Sequence, residues 1–169
     1  MKKALIVIDM QNDFLDGALA NPTALALVPA IANEVLAFDG DVFATRDTHG
    51  EDYLQTSEGE RLPVVHCVKN THGWEIESTI ASVLTARNAV VIDKPTFGYL
   101  GWEVLKGYDE VTLVGTCTDI CVVSNALILK AQHPSLQVKV LAKLCAGTTP
   151  ENHHCALTTM RCCQVEVVE

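Results

Sequence analysis

Short apolar runs rich in β-branched residues recur along this sequence, and they restrict the possible folds more than any other feature. They end in polar residues and occupy residues 4–10, 41–47, 89–94, 110–116, 137–143 and 163–168. Nearly continuous apolar runs of this length are typical of strands in a parallel sheet that is buried on both faces. We therefore predict that these runs form one parallel sheet.

Segments with helical spacing lie between most of these runs. Apolar side chains recur on one face of residues 23–38, 78–86 and 119–131. Alternating strands and helices predict a doubly wound α/β fold with right-handed crossovers. Because 169 residues with 49% apolar content can form one core but not two, we expect a single domain over residues 1–169.

Charge and composition exclude several classes of partner. The formal net charge of -9 argues against nucleic acid and against an anionic membrane surface. The apolar stretch of residues 4–8 is too short for a signal peptide, and no window approaches the ~20 apolar residues of a membrane span. The seven cysteines are odd in number and scattered, so we expect reduced thiols in a cytoplasmic protein. Small molecules and other proteins remain as possible binding partners.

Polar residues follow four of the predicted strands at their carboxyl ends. They are Asp9, residues 47–49, Lys94 and residues 118–121. In an open parallel sheet, the carboxyl ends of the strands border the crevice in which ligands bind. The fold therefore directs these residues toward one crevice.

Cys121 is a candidate nucleophile. If Thr118 or Asp119 caps the following helix, Cys121 falls in the first turn, where the helix dipole stabilises a thiolate. The alternative is that Cys117 and Cys121 are both buried core residues. A structural zinc site is disfavoured, because the adjacent cysteines at 162–163 do not form a second ligand pair of suitable spacing.

Asp9 and Lys94 each end an apolar strand, where a charge is costly unless it has a partner or a function. Each could belong to a structural ion pair. Together with Cys121 they resemble a base, an electrostatic helper and a nucleophile.

The long irregular stretch of residues 47–74 carries a second group of candidate ligands. Asp47 and His49 lie on the same side of an extended segment, and His66 follows a loop that contains several acidic residues. Nitrogen and oxygen donors without a thiolate suit Zn²⁺, Fe²⁺ or Mn²⁺. The alternative is a solvated polar loop. The remaining histidines are expected at the surface: His72, His133, His153 and His154.

Five motifs resemble those of the isochorismatase-like cysteine hydrolases, and within them the pattern is most similar to nicotinamidases. They are IDMQNDF, TRDTH, LPVVHC, DKPTF and VGTCTDICV, and they occur in the family's order over nearly the whole chain. The resemblance implies an isochorismatase-like (Rossmann-like) fold, which is a three-layer α/β/α structure with a six-stranded parallel sheet.

The resemblance also implies roles for individual residues. Asp9, Lys94 and Cys121 would form the catalytic triad. A cis peptide would join Thr116 to Cys117, and the backbone N–H groups of Cys117 and Cys121 would form the oxyanion hole.

For the metal, the resemblance implies one divalent transition ion per chain, which could be Zn, Fe or Mn. Asp47, His49 and His66 match the family's ligands by position. The further histidine expected shortly after His49 is absent, and Glu58 resembles the glutamate that replaces it in some members.

The implied activity is hydrolysis of the C–N bond of a small carboxamide through a thioester, with nicotinamide as the leading substrate. Phe14 and Phe97, in the motifs around Asp9 and Lys94, are the expected substrate contacts. The resemblance further suggests a homo-oligomer, either a dimer or a tetramer.

Three alternatives remain at this stage: an amidase for another carbamoyl or ureido compound, an isochorismatase, and a non-catalytic binding relative. A substrate with a carboxylate calls for an arginine, and the sequence gives no clear placement at the site for any of the four arginines: Arg46, Arg61, Arg87 and Arg161.

Overall fold

The structure, a computed structural model that describes all 169 residues, contains one parallel sheet of six strands, as the sequence predicts. The strands run in the spatial order β3-β2-β1-β4-β5-β6, and every neighbouring pair is parallel. Their bounds are β1 Lys3–Ile8, β2 Asp41–Asp47, β3 Val90–Lys94, β4 Glu110–Thr116, β5 Gln137–Ala146 and β6 Glu166–Val168.

Helices cover both faces of the sheet and complete the three-layer α/β/α architecture. They are α1 Asn12–Leu15, α2 Pro22–Ala26, α3 Val28–Ala37, α4 Ser57–Arg61, α5 Ser78–Ala86, α6 Val123–Gln132 and α7 Pro150–Cys162. None of them is both long enough and apolar enough to cross a bilayer.

Strand β1 separates two apolar cores, because successive side chains of a strand point to opposite faces. Leu5 and Val7 pack with the apolar faces of α3 and α5. Ala4, Ile6 and Ile8 pack with those of α6 and α7. The central strand is therefore buried on both sides, which explains its lack of polar alternation.

The structure differs from the sequence-based prediction in the helix over residues 23–38. It divides into α2 and α3 at Leu27, and Pro29 occupies the first turn of α3. Proline has no N–H group, and its ring would clash with the carbonyl of the preceding turn, so one continuous helix cannot pass through this position.

Two further differences concern the last helix of the chain and the strand at the sheet edge. Helix α7 was not predicted, although Thr149 caps it by accepting a hydrogen bond from the backbone N–H of Asn152, and Pro150 follows. At the sheet edge, Val90 and Val91 are 52% and 41% exposed, because β3 has a neighbour on one side only.

The order of the strands brings the polar strand ends together. Strand β1 lies between β2 and β4. From β1 the sheet extends through β2 to β3 on one side and through β4 and β5 to β6 on the other. Asp9 directly follows β1, and Asp47 and Lys94 are paired in register at the ends of β2 and β3. This is the crevice that the sequence predicts for ligand binding.

Gly115 of β4 is paired with Ile8 of β1, and its backbone requires a residue without a side chain. Its φ is +120°, and a Cβ atom there would lie 2.2 Å from the carbonyl oxygen of Ile8. Gly107 also has a positive φ, +87°, but a Cβ atom there would have no neighbour within 4 Å. Comparing substitutions at the two glycines therefore separates the cost of a positive φ from the cost of a steric clash.

We predict that Gly115→Ala destabilises the fold far more than Gly107→Ala does. Gly107→Ala should cost about 1–2 kcal/mol for the left-handed conformation alone. Gly115→Ala should cost roughly 3 kcal/mol or more, because β4 must also move away from β1. Equilibrium unfolding in urea measures both values, and equal losses would contradict this account of Gly115.

Candidate active site

Lys94 is fully buried beneath the crevice, and its ammonium group faces the side chains of Asp9, Asp47 and Cys121. Its Nζ lies 2.7 Å from Asp9 Oδ2, 3.6 Å from Asp47 Oδ1 and 3.6 Å from Cys121 Sγ. It also donates a hydrogen bond to the Thr96 carbonyl at 3.2 Å. Burial disfavours the charged amine, but Asp9, Cys121 and Asp47 raise the pKa of Lys94. The lysine therefore remains protonated.

Asp9 is held by the neighbouring strand as well as by Lys94. Its φ is +47°, its N–H donates to Thr45 Oγ1 at 3.3 Å, and the Thr45 hydroxyl donates to Asp9 Oδ1 at 2.6 Å. Burial raises the pKa of Asp9, and the attraction of Lys94 only partly offsets it. A carboxylate with a raised pKa is a better proton acceptor than a solvated one.

Cys121 lies in a π-helical turn, Thr118–Val122, that leads into α6. The predicted N-cap at Thr118 or Asp119 is wrong, because no side chain caps this turn. The Thr118 hydroxyl is hydrogen bonded to His153 Nδ1 at 2.8 Å instead. Asp119 accepts hydrogen bonds from Thr148, from its N–H at 2.8 Å and from its hydroxyl at 2.6 Å.

The environment of Cys121 favours a thiol in the resting site, whereas the sequence predicts a stabilised thiolate. Burial raises the pKa of Cys121 well above its usual value; the nearby Asp9 carboxylate raises it further, and Lys94 opposes both. The peptide between Thr116 and Cys117 is cis, as the resemblance implies.

Four candidate metal ligands form a second cluster beside this one: Asp47, His49, Glu58 and His66. One ligand atom from each lies within 4.8 Å of all the others. Asp47 Oδ2 is 2.9 Å from His49 Nε2 and 3.6 Å from His66 Nε2, and Glu58 Oε1 is 3.7 and 3.6 Å from the same nitrogens.

The donor set of this cluster fits a divalent transition metal. It combines two imidazoles with two carboxylates, which suits Zn²⁺, Fe²⁺ or Mn²⁺. Burial raises the pKa of Asp47, but hydrogen bonds to His49 and His66 and the charge of Lys94 lower it well below its usual value, so this ligand is ionised. Asp47 Oδ1 is buried and has no hydrogen-bond partner in the protein.

Gln11 holds the backbone of the cluster in place, and no sequence pattern pointed to this role. Its side-chain amide donates to the carbonyls of Asp47 and Trp74 at 2.8 and 2.9 Å and accepts from the Asp47 N–H at 2.7 Å. His66 is oriented in a similar way, because its Nδ1 is hydrogen bonded to the Val64 carbonyl at 2.7 Å. Such contacts fix the direction of metal ligands.

A cavity of about 1060 Å³ opens above both clusters. Its wall includes Cys121 and Cys117, and it includes Phe14 and Phe97, the aromatic residues expected to contact substrate. Arg61 also lines this cavity, although no arginine could be placed at the site from the sequence. The two clusters therefore face one space that can hold a small molecule.

The family model of the isochorismatase domain matches residues 3–169, and the chain belongs to this family. It is 30% identical to a nicotinamidase/pyrazinamidase of Mycobacterium tuberculosis, over 98% of both chains. It is 29% identical to a nicotinamidase of Schizosaccharomyces pombe, over 98% of this chain and 92% of that one.

Solved structures agree with this assignment. The nicotinamidase/pyrazinamidase of Bacillus subtilis superposes with a TM-score of 0.82 at 28% identity, and each chain is covered completely. The pyrazinamidase of Pyrococcus horikoshii, solved in complex with zinc, gives a TM-score of 0.81 at 29% identity over 100% of this chain and 99% of that one. The six-stranded fold is thus the isochorismatase-like fold.

We predict that Lys94→Met destabilises the metal-free protein more than Asp9→Asn does. Without Lys94, two carboxylates stay buried without a cation, which should cost about 3–5 kcal/mol. Asp9→Asn leaves Lys94 its contact with Asp47 and should cost less. The double variant should regain part of the stability that Lys94→Met loses. Urea unfolding in a chelator tests this, and strictly additive losses would show that the pair is not coupled.

We also predict that the purified protein binds about one divalent transition metal per chain and that His49→Ala loses it. His72→Ala is the matched control, because His72 is exposed and lies outside the cluster. Elemental analysis after dialysis provides the measurement. Equal metal content in wild type and His49→Ala would contradict the assignment of the site.

Metal occupancy should fall as the pH falls, because a metal binds only the neutral imidazole. Burial favours the neutral ring of His66, but hydrogen bonds to Asp47 and to the Val64 carbonyl raise its pKa above 6.5. Protons therefore compete with the metal already above pH 6.5, and the loss deepens below it. An apparent metal Kd that stays constant as the pH falls past 6.5 would contradict this order.

Proposed function

We propose that this chain is a cysteine hydrolase that cleaves the C–N bond of a small carboxamide, with nicotinamide as the leading substrate. One observation carries the proposal: a buried lysine lies between a carboxylate, at 2.7 Å, and a thiol, at 3.6 Å, beneath a cavity that is also lined by a four-ligand cluster. The nicotinamidases among the relatives support the substrate class.

In the first half-reaction, Asp9 accepts the thiol proton as Cys121 Sγ attacks the carbonyl carbon. The carbonyl π electrons move to oxygen, and the N–H groups of Cys117 and Cys121 donate hydrogen bonds to that oxyanion. When the C=O bond re-forms, the C–N bond breaks and the nitrogen takes the proton from Asp9. Ammonia leaves, and a thioester joins the acyl group to Cys121.

The second half-reaction reverses these proton movements. Asp9 takes a proton from water as the water oxygen attacks the thioester carbonyl. The C–S bond then breaks, and the departing sulfur of Cys121 takes the proton back from Asp9. Throughout, the charge of Lys94 stabilises the ionised form of Asp9 and attracts the developing thiolate.

Asp47, His49, Glu58 and His66 would hold one divalent metal in this account. When bound, the ion supplies a Lewis acid that can accept a lone pair such as that of a pyridine nitrogen. The protein would thereby fix the carboxamide above Cys121.

A larger or anionic amide is the second candidate substrate. The cavity of about 1060 Å³ is slightly larger than the usual range for small-molecule sites, which is roughly 300–1,000 Å³. Arg61 in its wall could pair with a carboxylate. Rates of ammonia release from nicotinamide, benzamide and a carbamoyl compound with a carboxylate distinguish the two. Nicotinamide should have the highest kcat/KM, and a preference for the anionic compound would favour the alternative.

We predict that Cys121→Ser lowers kcat for nicotinamide by a factor on the order of 10³ or more, because the hydroxyl is a far weaker nucleophile than the thiolate. Cys117→Ser should retain most of the activity, since only the backbone N–H of this residue takes part. Ammonia release measures both. Equal losses in the two variants would remove Cys121 from its proposed role.

A further inference from the structure

The turn that carries Cys121 is fastened to helix α7 by its own polar side chains. Thr118 Oγ1 and His153 Nδ1 are 2.8 Å apart, and Asp119 accepts two hydrogen bonds from Thr148, just before α7. The packing at this junction is tight. A Cβ atom at Gly147 would lie 2.8 Å from His153 Cβ and 2.9 Å from Asp119 Oδ1.

Thr118 depends on His153 because its hydroxyl has no access to solvent. Thr118 is 0% exposed, and His153 provides the hydrogen-bond partner of its side chain. A buried hydroxyl without a partner costs roughly 1–3 kcal/mol, so loss of the ring forces either water entry or movement of the turn. Burial lowers the pKa of His153, which keeps the ring neutral at physiological pH.

The position of Thr118 in the turn makes this contact relevant to the reaction. Thr118 directly follows Cys117 and precedes Cys121 by three residues, so it lies between the two N–H groups assigned to the oxyanion. Anchoring its side chain therefore limits movement of the backbone that carries both donors. An oxyanion hole works only when its donors are already directed at the place where charge develops.

We propose that His153 is a positioning residue that aligns the oxyanion-binding turn through the hydroxyl of Thr118. This inference rests on the proposed function. His153 does not line the cavity. It acts on the transition state through the turn and leaves ground-state binding of the substrate unchanged.

Two substitutions of His153 and one neighbouring control test the inference. His153→Ala removes the partner of Thr118, whereas His153→Asn places a polar atom near the former Nδ1. His154→Ala is the matched control, because this adjacent histidine on α7 is exposed. We expect kcat for nicotinamide to fall roughly tenfold to hundredfold in His153→Ala with little change in KM. His153→Asn should recover much of that loss, and His154→Ala should resemble wild type.

Ligand binding separates positioning from a general loss of structure. The sulfur of Cys121 should add to the carbonyl carbon of pyridine-3-carboxaldehyde. The carbonyl oxygen takes the thiol proton, and the product is a thiohemiacetal. This adduct uses the oxyanion hole, whereas nicotinate binds as a ground-state ligand. The affinity for the aldehyde should therefore fall with kcat in His153→Ala, while the affinity for nicotinate stays within about twofold of wild type.

A double-mutant cycle with Thr118→Val identifies the route of the effect. If His153 acts through Thr118, then the double variant should lose no more kcat than either single variant. Additive losses, a wild-type kcat in His153→Ala, or an equal loss of nicotinate affinity would each overturn the inference. If the wild-type protein releases no ammonia and binds no aldehyde, then the proposed function fails and this inference fails with it.

Discussion

The buried ammonium group of Lys94 is the interaction on which the rest of the site depends. It lies among Asp9, Asp47 and Cys121 at 2.7–3.6 Å, with no exposure to solvent. Isolated charges at this depth would each be strongly unfavourable, so the lysine and the two carboxylates tolerate burial only together. The register that pairs Asp47 with Lys94 across β2 and β3 brings these charges into contact.

Asp47 joins the two halves of the site. One of its oxygens lies 3.6 Å from Lys94, and the other lies 2.9 Å from His49. Asp47 therefore belongs to the candidate metal ligands and also contacts Lys94 of the candidate triad, so the two groups share a single electrostatic environment. A change in charge on either side will alter the proton affinities of the other, so stability measurements on the triad are best made without metal.

The sequence predicts the sheet and the position of the site, because both depend on local patterns. Apolar runs identify the strands, and the polar residues that end them meet where β1 adjoins β2 and β4. The same local reasoning places Asp47, His49 and His66 in one loop region, and the family resemblance adds Glu58. The structure brings the ligand atoms of all four together.

Features that depend on partners distant in the chain could not be predicted from the sequence. Thr118 looks like a helix cap until His153, 35 residues later, is seen beside it. Gln11 resembles an ordinary loop residue until its contacts with Asp47 and Trp74, 36 and 63 residues away, are known. The resting protonation of Cys121 could not be predicted either, because it depends on the burial of the thiol in the folded chain.

The most direct test of the central claim is to look for the acyl group on Cys121 during turnover. The enzyme is mixed with nicotinamide and quenched with acid in the pre-steady state. The quenched protein is then digested, and the masses of the peptides are measured by mass spectrometry. We expect a pyridine-carbonyl adduct on the peptide that contains Cys121, and we expect it to disappear as substrate is consumed. Ammonia release under conditions that accumulate the intermediate, with the acyl group on another residue, would contradict the account.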